Sequence, residues 1–563
     1  RNNASSAVLN FFLFIFPPDD ACFDFIVVGA GSAGSVIANR LTEVDDITVL
    51  LIEAGGDPPF ESQVPAIFLY MKNSSVDWRY LSENDGFTYQ YHKNQRAEIT
   101  RGKMLGGSSS LNFQAYTRGN YHDFDNWAKI TGDETWNWEN VLPYFKKSEN
   151  YVDPILLSTP DSFYHGTNGN VGVKRYYNDV AIKYFEAFAE KGDKTVLDIN
   201  GATPLGYTEC MFNIKDGVRQ STAYSFLTPI KDRPNLFVLK NTLVSKIIFD
   251  EYKNAIGVEA ILEDGNTVQY KANKEVIVSG GAINTPQLLM LSGIGPKKHL
   301  KSKQIKVISD LPVGQTLHDH VAVIMTHAMG PTDPPKPINP YNYPYPLVVG
   351  FTTLNQSQGY PDYETLNLIL NNPTAILQLC SFFFHYYDEI CQPLYDGAVG
   401  KEAMFSLVCL LYPESEGKVL LKSKDPKDYP LIYTGYYSND KDLENHVKYL
   451  KDFVRVQDSR LFRSVNAKII VPKFCGCGKQ DGSDQFWRCY ALCMMAQGYH
   501  FSGSSPMGTV VDSRLNVFGV QRLRVADASV MPRITGANTN AATMMIGEKA
   551  ADIIKEDHFL WFK

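Results

Sequence analysis

The chain has 563 residues, more than one hydrophobic core usually holds, so two consecutive or interleaved domains are expected. With 44% hydrophobic and 20% charged residues it has the composition of an ordinary water-soluble globular protein. A net charge of −7 with no basic block argues against a nucleic-acid partner, and the apolar run at 9–16 is too short to span a bilayer. That run reads instead as a docked N-terminal segment. The sequence starts at Arg1 rather than Met, so an upstream piece is expected to have been removed or left out.

The first predicted elements carry the most information. Residues 25–28 form an apolar strand that enters a Gly-x-Gly-x-x-Gly turn made of Gly29, Gly31 and Gly34. A helix follows over 35–43, with Val36, Ile37 and Leu41 at helical spacing, and a second apolar strand over 47–52 ends in Glu53. Strand, glycine turn, helix, strand and closing carboxylate together make a dinucleotide-binding frame. Gly29 permits the tight turn, Gly31 leaves room for a pyrophosphate, and Gly34 lets helix and strand approach. The helix N-terminus offers free N–H groups to the phosphates, and Glu53 can accept hydrogen bonds from an adenosine ribose. This frame alone fits NAD as well as FAD.

Beyond a Gly- and Pro-rich exit loop at 54–59, residues 101–112 gather Gly102, Gly106, Gly107, Ser108, Ser109 and Ser110. Such a loop suits backbone contact with a flat or charged ligand. Residues 119–229 read as mixed helices and loops, with Trp127, Trp136 and Trp138 packed inside. Short strands are predicted at 236–239, 244–249, 255–262 and 267–271, with a hairpin turn at Asp264 and Gly265. A buried strand at 275–279 runs into a helix start and a tight return across 281–295. Residues 331–346, rich in Pro and Tyr, mark an insertion or lid-like loop, and 381–387 is the densest aromatic run. Strands at 405–411, 417–421 and 523–526 and helices at 442–456 and 541–555 complete the reading. Nine cysteines include Cys475, Cys477, Cys489 and Cys493, whose spacing lacks zinc knuckles and fits disulfides. With sequons at Asn3, Asn73 and Asn355, this argues for a secreted glycoprotein.

Four stretches, in this order and at these distances, resemble the glucose–methanol–choline (GMC) oxidoreductase family, and most of all its insect branch. They are 29–34 with Glu53, Ala54 and Gly55; 102–112; 280–286 with 292–295; and 525–529 followed by 538–541. The resemblance runs from about residue 23 to 555. It implies FAD, held in a doubly wound α/β domain, and a substrate domain whose antiparallel sheet lies over the flavin. The FAD domain is expected mainly at 21–320 and 500–563, interrupted around 56–100 and 130–230, with the substrate domain at 321–499 and part of 130–230. Carried over residue by residue, Gly29, Gly31, Ser32, Ala33, Gly34, Glu53 and Ala54 would hold the dinucleotide, and Val244 would meet the adenine through its backbone. Gly107, Ser108 and Asn112 would line the flavin, with Trp78 and Ala115 nearby. Asp527 and Ala528 would lie by the ribityl chain and pyrophosphate, and the helix of Ala541 would aim its N-terminus at the flavin's pyrimidine end. Leu111 occupies the place where some members attach FAD through a His, so the FAD is expected to be noncovalent.

Alcohol oxidation removes a hydroxyl proton while a hydride leaves the carbon. A neutral imidazole suits the proton, and the family motif puts that base at His500, with Asn540 expected to hydrogen-bond the substrate oxygen. The residues after His500 depart from the family pattern, which points to an unusual pocket wall. His318 and His320, either side of Asp319, are a weak metal pattern and read as structural; no metal is expected. With no second dinucleotide fingerprint, oxygen, a quinone or another soluble acceptor is left to take the electrons. The aromatics at 382–387 and 341–346, with Phe501, favour hydrophobic walls and a bulky apolar alcohol such as a steroid, and the resemblance to the insect branch implies an ecdysteroid. A sugar dehydrogenase, and an FAD-containing lyase that uses His500 only as acid and base, are the alternatives.

Overall fold

The computed structural model describes residues 17–335 and 337–560; the apolar run at 9–16 and the sequon at Asn3 lie outside the described residues. The elements that build the site are, in chain order, β1 (Cys22–Val28), α1 (Gly34–Leu41), β2 (Val49–Ile52), β3 (Gly206–Glu209), β4 (Leu236–Leu239), β5 (Leu243–Phe249), β6 (Ala255–Ile261), β7 (Thr267–Val278) and α2 (Gly281–Leu291). There follow β8 (Val321–Pro331), β9 (Leu347–Thr352), β10 (Tyr363–Leu370), α3 (Asp388–Ala398), β11 (Lys401–Leu410) and α4 (Asp440–Val454). The last are β12 (Lys468–Ile469), α5 (Asp484–Cys493), β13 (Met495–Gln497), β14 (Leu523–Val525) and α6 (Thr539–Asp557).

Two sheets organise these elements. The first runs β4-β2-β1-β7-β6-β5, with β14 on β7. Its β4, β2, β1, β7 and β14 pair in parallel, whereas β5, β6 and β7 are antiparallel. Phe25, Ile26, Val27, Val49, Leu50 and Leu51 are fully buried, as strands covered on both faces must be, and α1 packs on α6. Val28, Ile52 and Val278 lie side by side at the carboxyl ends of β1, β2 and β7. That edge is where open parallel sheets bind ligands. The strands expected separately at 267–271 and 275–279 are one strand, β7. Its first half pairs with β6 and its second with β1, and these two ladders carry it through the polar Asn273 and Lys274.

The second sheet runs β12-β8-β11-β10-β9-β3, with β13 on β8, and is wholly antiparallel. Its edge strand β3 comes from far upstream, so the two halves of the molecule interleave in sequence. Alternate residues of β9, β10 and β11 (Leu347, Leu366, Leu368, Leu407 and Cys409) face one cavity, while α4 packs on the sheet as well.

The cysteines at 475–493 form disulfides, as expected, and the pairing is Cys475 to Cys493 and Cys477 to Cys489; a third bond joins Cys380 to Cys391. Among the described residues no helix is long and apolar enough to cross a membrane, and no His, Cys, Asp or Glu cluster could hold a metal.

Candidate active site

The cavity is lined from both sheets. At its base lies the glycine turn after β1. Gly29 has φ +101°, and a Cβ there would lie 2.4 Å from the Ser279 carbonyl oxygen; one at Gly34 would lie 1.9 Å from the Gly29 carbonyl oxygen. Both positions are therefore closed to any other residue. A Cβ on Gly31 would meet nothing within 4 Å, so this glycine opens onto free space. One on Gly107 would lie 2.8 Å from the Gly31 Cα, which brings the second glycine loop directly onto the first. Glu53, just beyond β2, braces the turn: its Oε2 accepts from Ala30 N and its Oε1 from Gly55 N, both at 2.9 Å. Burial pushes its carboxyl up to about 7. Ser32 Oγ donates to Asn540 Oδ1 at 2.7 Å, leaving Asn540 Nδ2 buried without a partner on the cavity wall.

Of the residues singled out from the sequence, Gly29, Gly31, Ser32, Ala33, Glu53, Ala54, Trp78, Gly107, Ser108, Asn112, Ala115, Val244, His500, Asp527, Ala528 and Asn540 line this one cavity. Gly34 and Ala541 do not. Gly34 serves the contact between α1 and β1, and Ala541 is buried in the core around the parallel sheet; Thr539 and Thr543 face the cavity in its place. Asp527 touches the cavity with an occupied carboxylate, which accepts from Gly281 N, Thr285 Oγ1 and Ser529 N and so pins the start of α2. The open cradle at Gly31, the unpartnered amide of Asn540 and the N-terminus of α6 at the cavity wall fit a dinucleotide with its phosphates on the glycine turn.

Above this base sits His500, deep below the surface but open to the cavity. The sequence reading paired it with Asn540; the structure puts Asn538 there instead. Asn538 Oδ1 accepts from Thr117 Oγ1 at 2.8 Å, which leaves Nδ2 to donate to His500 Nε2 at 2.9 Å. Nε2 thus bears a lone pair and the ring proton is on Nδ1, which donates to His320 Nδ1 at 2.9 Å. The His320 proton then lies on Nε2, a buried atom with no hydrogen-bond partner in the protein, though the Leu411 and Thr535 backbones act on the ring. His320, read as merely structural, is therefore the residue that fixes the tautomer of His500. Asp319 accepts from the His500 backbone N–H and from Tyr436 Oη, anchoring His500 from behind. Burial, with His320 and Arg101 nearby, holds the His500 imidazole well below the ordinary histidine range, so it is neutral at neutral pH. Tyr499, immediately before it, has φ +62°, a strained backbone of the kind that clusters at functional sites.

A glycine turn open to a cavity at the strand ends, a capping antiparallel sheet and an uncharged imidazole over the site define a dinucleotide-dependent oxidoreductase. Models described as GMC oxidoreductase match residues 23–322 and 413–547. The chain is 39% identical over 555 residues to an ecdysone oxidase of Bombyx mori, covering 95% of this chain and 82% of that one. It is 35% identical over 551 residues to a glucose dehydrogenase (FAD, quinone) of Drosophila pseudoobscura pseudoobscura, covering 95% and 87%. A solved formate oxidase of Aspergillus oryzae superposes with a TM-score of 0.83 at 27% identity, covering 97% of this chain and all of that one. The chain belongs to the GMC oxidoreductase family and is an FAD-dependent oxidoreductase acting on alcohol-type donors.

Proposed function

We propose that the chain oxidises a bulky, largely apolar alcohol of the ecdysteroid class, with His500 as base and Asn538 as the amide that positions the substrate oxygen. The observation that carries this reading is the pairing of His500 and Asn538 on a cavity walled by Phe68, Phe113, Leu366, Phe383, Phe384 and Phe501. The 39% identity to an ecdysone oxidase supports the same substrate class. FAD, when bound, supplies the hydride acceptor. The alcohol enters between Nε2 and the amide: its oxygen accepts from Asn538 Nδ2–H and its proton passes to His500 Nε2. His320 Nδ1 accepts the other ring N–H throughout, so the imidazolium that forms stays in register. Gly31, Ser32, Glu53, Gly107 and Asn540 would hold the FAD noncovalently, in a domain made mainly of 21–320 and 500–563. Residues 321–499, with β3, would form the substrate side. Oxygen or a quinone-type acceptor would complete the cycle, and the three disulfides, with sequons at the exposed Asn73 and Asn355, support secretion.

Anaerobic addition of an ecdysteroid should bleach the flavin absorbance, and glucose should do so far less. Preferential bleaching by glucose would favour a sugar dehydrogenase, a reading with fewer polar groups in the cavity behind it. A flavin that no alcohol bleaches would favour lyase chemistry at His500.

A further inference from the structure

Among the described residues, three on the cavity wall that belong to neither the base nor the cofactor cradle carry a buried polar atom without a partner: Gln114 Oε1, Gln497 Oε1 and Tyr343 Oη. The two amides are held through Nε2, which donates to Pro65 O and Glu98 O, and of the three only the tyrosine makes no side-chain hydrogen bond. Tyr343 lies in the Pro- and Tyr-rich segment before β9, is 6% exposed and lines the cavity, yet its hydroxyl has no hydrogen-bond partner. Buried hydroxyls are usually paired with protein, water or ligand, and among the unpartnered hydroxyls of the described residues Tyr343 is the one whose residue lines the cavity, which makes it the candidate for a ligand atom. The ring is held between Phe68, at 5.3 Å and 17°, and Phe212, at 4.3 Å and 24°, which fixes the direction of the hydroxyl. Four ring-to-ring contacts separate it from the base. Tyr343 touches Phe68, Phe68 touches Phe113 at 4.6 Å, Phe113 touches Phe383 at 4.9 Å, and Phe383 touches Tyr499, the neighbour of His500, at 5.3 Å. Phe68, Phe113, Phe383 and Tyr499 all line the cavity too. A continuous aromatic wall thus runs from the base to a single unpaired hydroxyl.

We propose that Tyr343 Oη is a specificity-determining group, which hydrogen-bonds a hydroxyl or carbonyl of the substrate remote from the carbon being oxidised. The substrate it selects is a long, rigid, apolar alcohol that bears a second polar group at its far end. The aromatic wall takes the apolar body, and the orphan hydroxyl discriminates against skeletons without the distal group, whose binding would leave Tyr343 unpaired. This inference rests on the reading of the chain as an oxidase of bulky apolar alcohols.

The test is Tyr343→Phe in the FAD-loaded enzyme, assayed with a polyhydroxylated ecdysteroid and with a sterol of similar skeleton carrying only the oxidisable hydroxyl. The variant should lose about tenfold in kcat/KM for the ecdysteroid, mostly through KM, and keep its value for the simple sterol. Its melting temperature should not fall, because the hydroxyl has no partner to lose. Equal losses on both substrates, no loss on either, or a lowered melting temperature would overturn the role of Tyr343. Failure of the unmodified enzyme to oxidise either steroid would instead overturn the functional reading on which it rests.

Discussion

Two asparagines two residues apart divide the work at the start of α6. Asn538 precedes the helix with a non-helical backbone (ψ +136°), whereas Asn540 lies in its first turn, so the two side chains leave the chain in different directions. One reaches His500 and the other Ser32. The sequence showed both residues but not where the helix begins, and for that reason the choice between them was not legible. His500→Ala should lower kcat by ~10²–10⁴-fold with FAD retained. Asn538→Ala should cost ~10²–10³-fold, as the loss of one donor to a developing alkoxide does. Asn540→Ala should leave kcat of loaded enzyme near wild type and reduce flavin content after gel filtration. Steady-state kinetics with flavin absorbance decide, and a kcat loss larger in Asn540→Ala than in Asn538→Ala would reverse the assignment. The proton must go to a neutral ring, so kcat/KM should rise with pH. Because burial holds the imidazole low, that limb should be complete below the ordinary histidine value of 6.5, with a flat rate across neutrality. A limb centred near pH 7 would point to another base.

Helices with strong periodicity were read to within two residues at either end, at 440–454 and 539–557, whereas the first strand was read at 25–28 and begins three residues earlier, at Cys22. What the sequence hid was pairing at long range. The short edge strand β3 looks like any loop segment until β9 is beside it, and nothing in nine cysteines says that Cys380 meets Cys391. That bond joins α3 to the turn Gln378–Phe383, whose last residue and Phe384 form part of the cavity wall. Closing a loop across a separation of 11 residues stabilises by about 3 kcal/mol in the chain-entropy model. The double variant Cys380→Ser, Cys391→Ser should therefore melt earlier and raise KM for a bulky alcohol several-fold, because Phe383 and Phe384 lose their tether. The chemistry at His500 is untouched, so kcat should stay within about twofold. A variant with lowered kcat and unchanged KM would show that the bond serves the base rather than the wall.

Across the whole molecule, two populations of buried groups set how stability follows pH. Burial raises the carboxyls of Asp123 and Asp319 to about 7 and that of Glu364 to about 8. Such acids stay protonated in the folded chain while the unfolded chain ionises near 4, so their burial weakens the fold progressively from about pH 4 to 8. Burial also lowers His92 and His327 to about 3 and His320 and His446 to about 4. These rings stay neutral in the folded chain while the unfolded chain takes up protons below about 6.5, so they weaken the fold as pH falls from 6.5 to 3. Between about pH 4.5 and 6.5 the two trends oppose each other, and above 6.5 the raised acids act without the histidines. Below 4.5 the histidines are joined by Glu98 and Glu275, whose folded-state carboxyls stay near 2 despite burial and so lose their contribution as pH falls from about 4.5 to 2. The melting temperature should therefore be highest on a plateau near pH 4.5–6.5 and fall on both sides. Glu364 gives the sharpest handle, since both its carboxyl oxygens lack a hydrogen-bond partner. Between pH 6.5 and 8 its ionisation in the unfolded state alone should weaken the fold by about 2 kcal/mol. Glu364→Gln keeps the shape, removes that titration and should flatten the neutral-to-alkaline decline. Thermal melts of both proteins from pH 4 to 8.5 provide the check. A wild-type melting temperature that rises from pH 6.5 to 8, or a decline as steep in Glu364→Gln, would mean that water reaches this carboxyl and keeps it ionised.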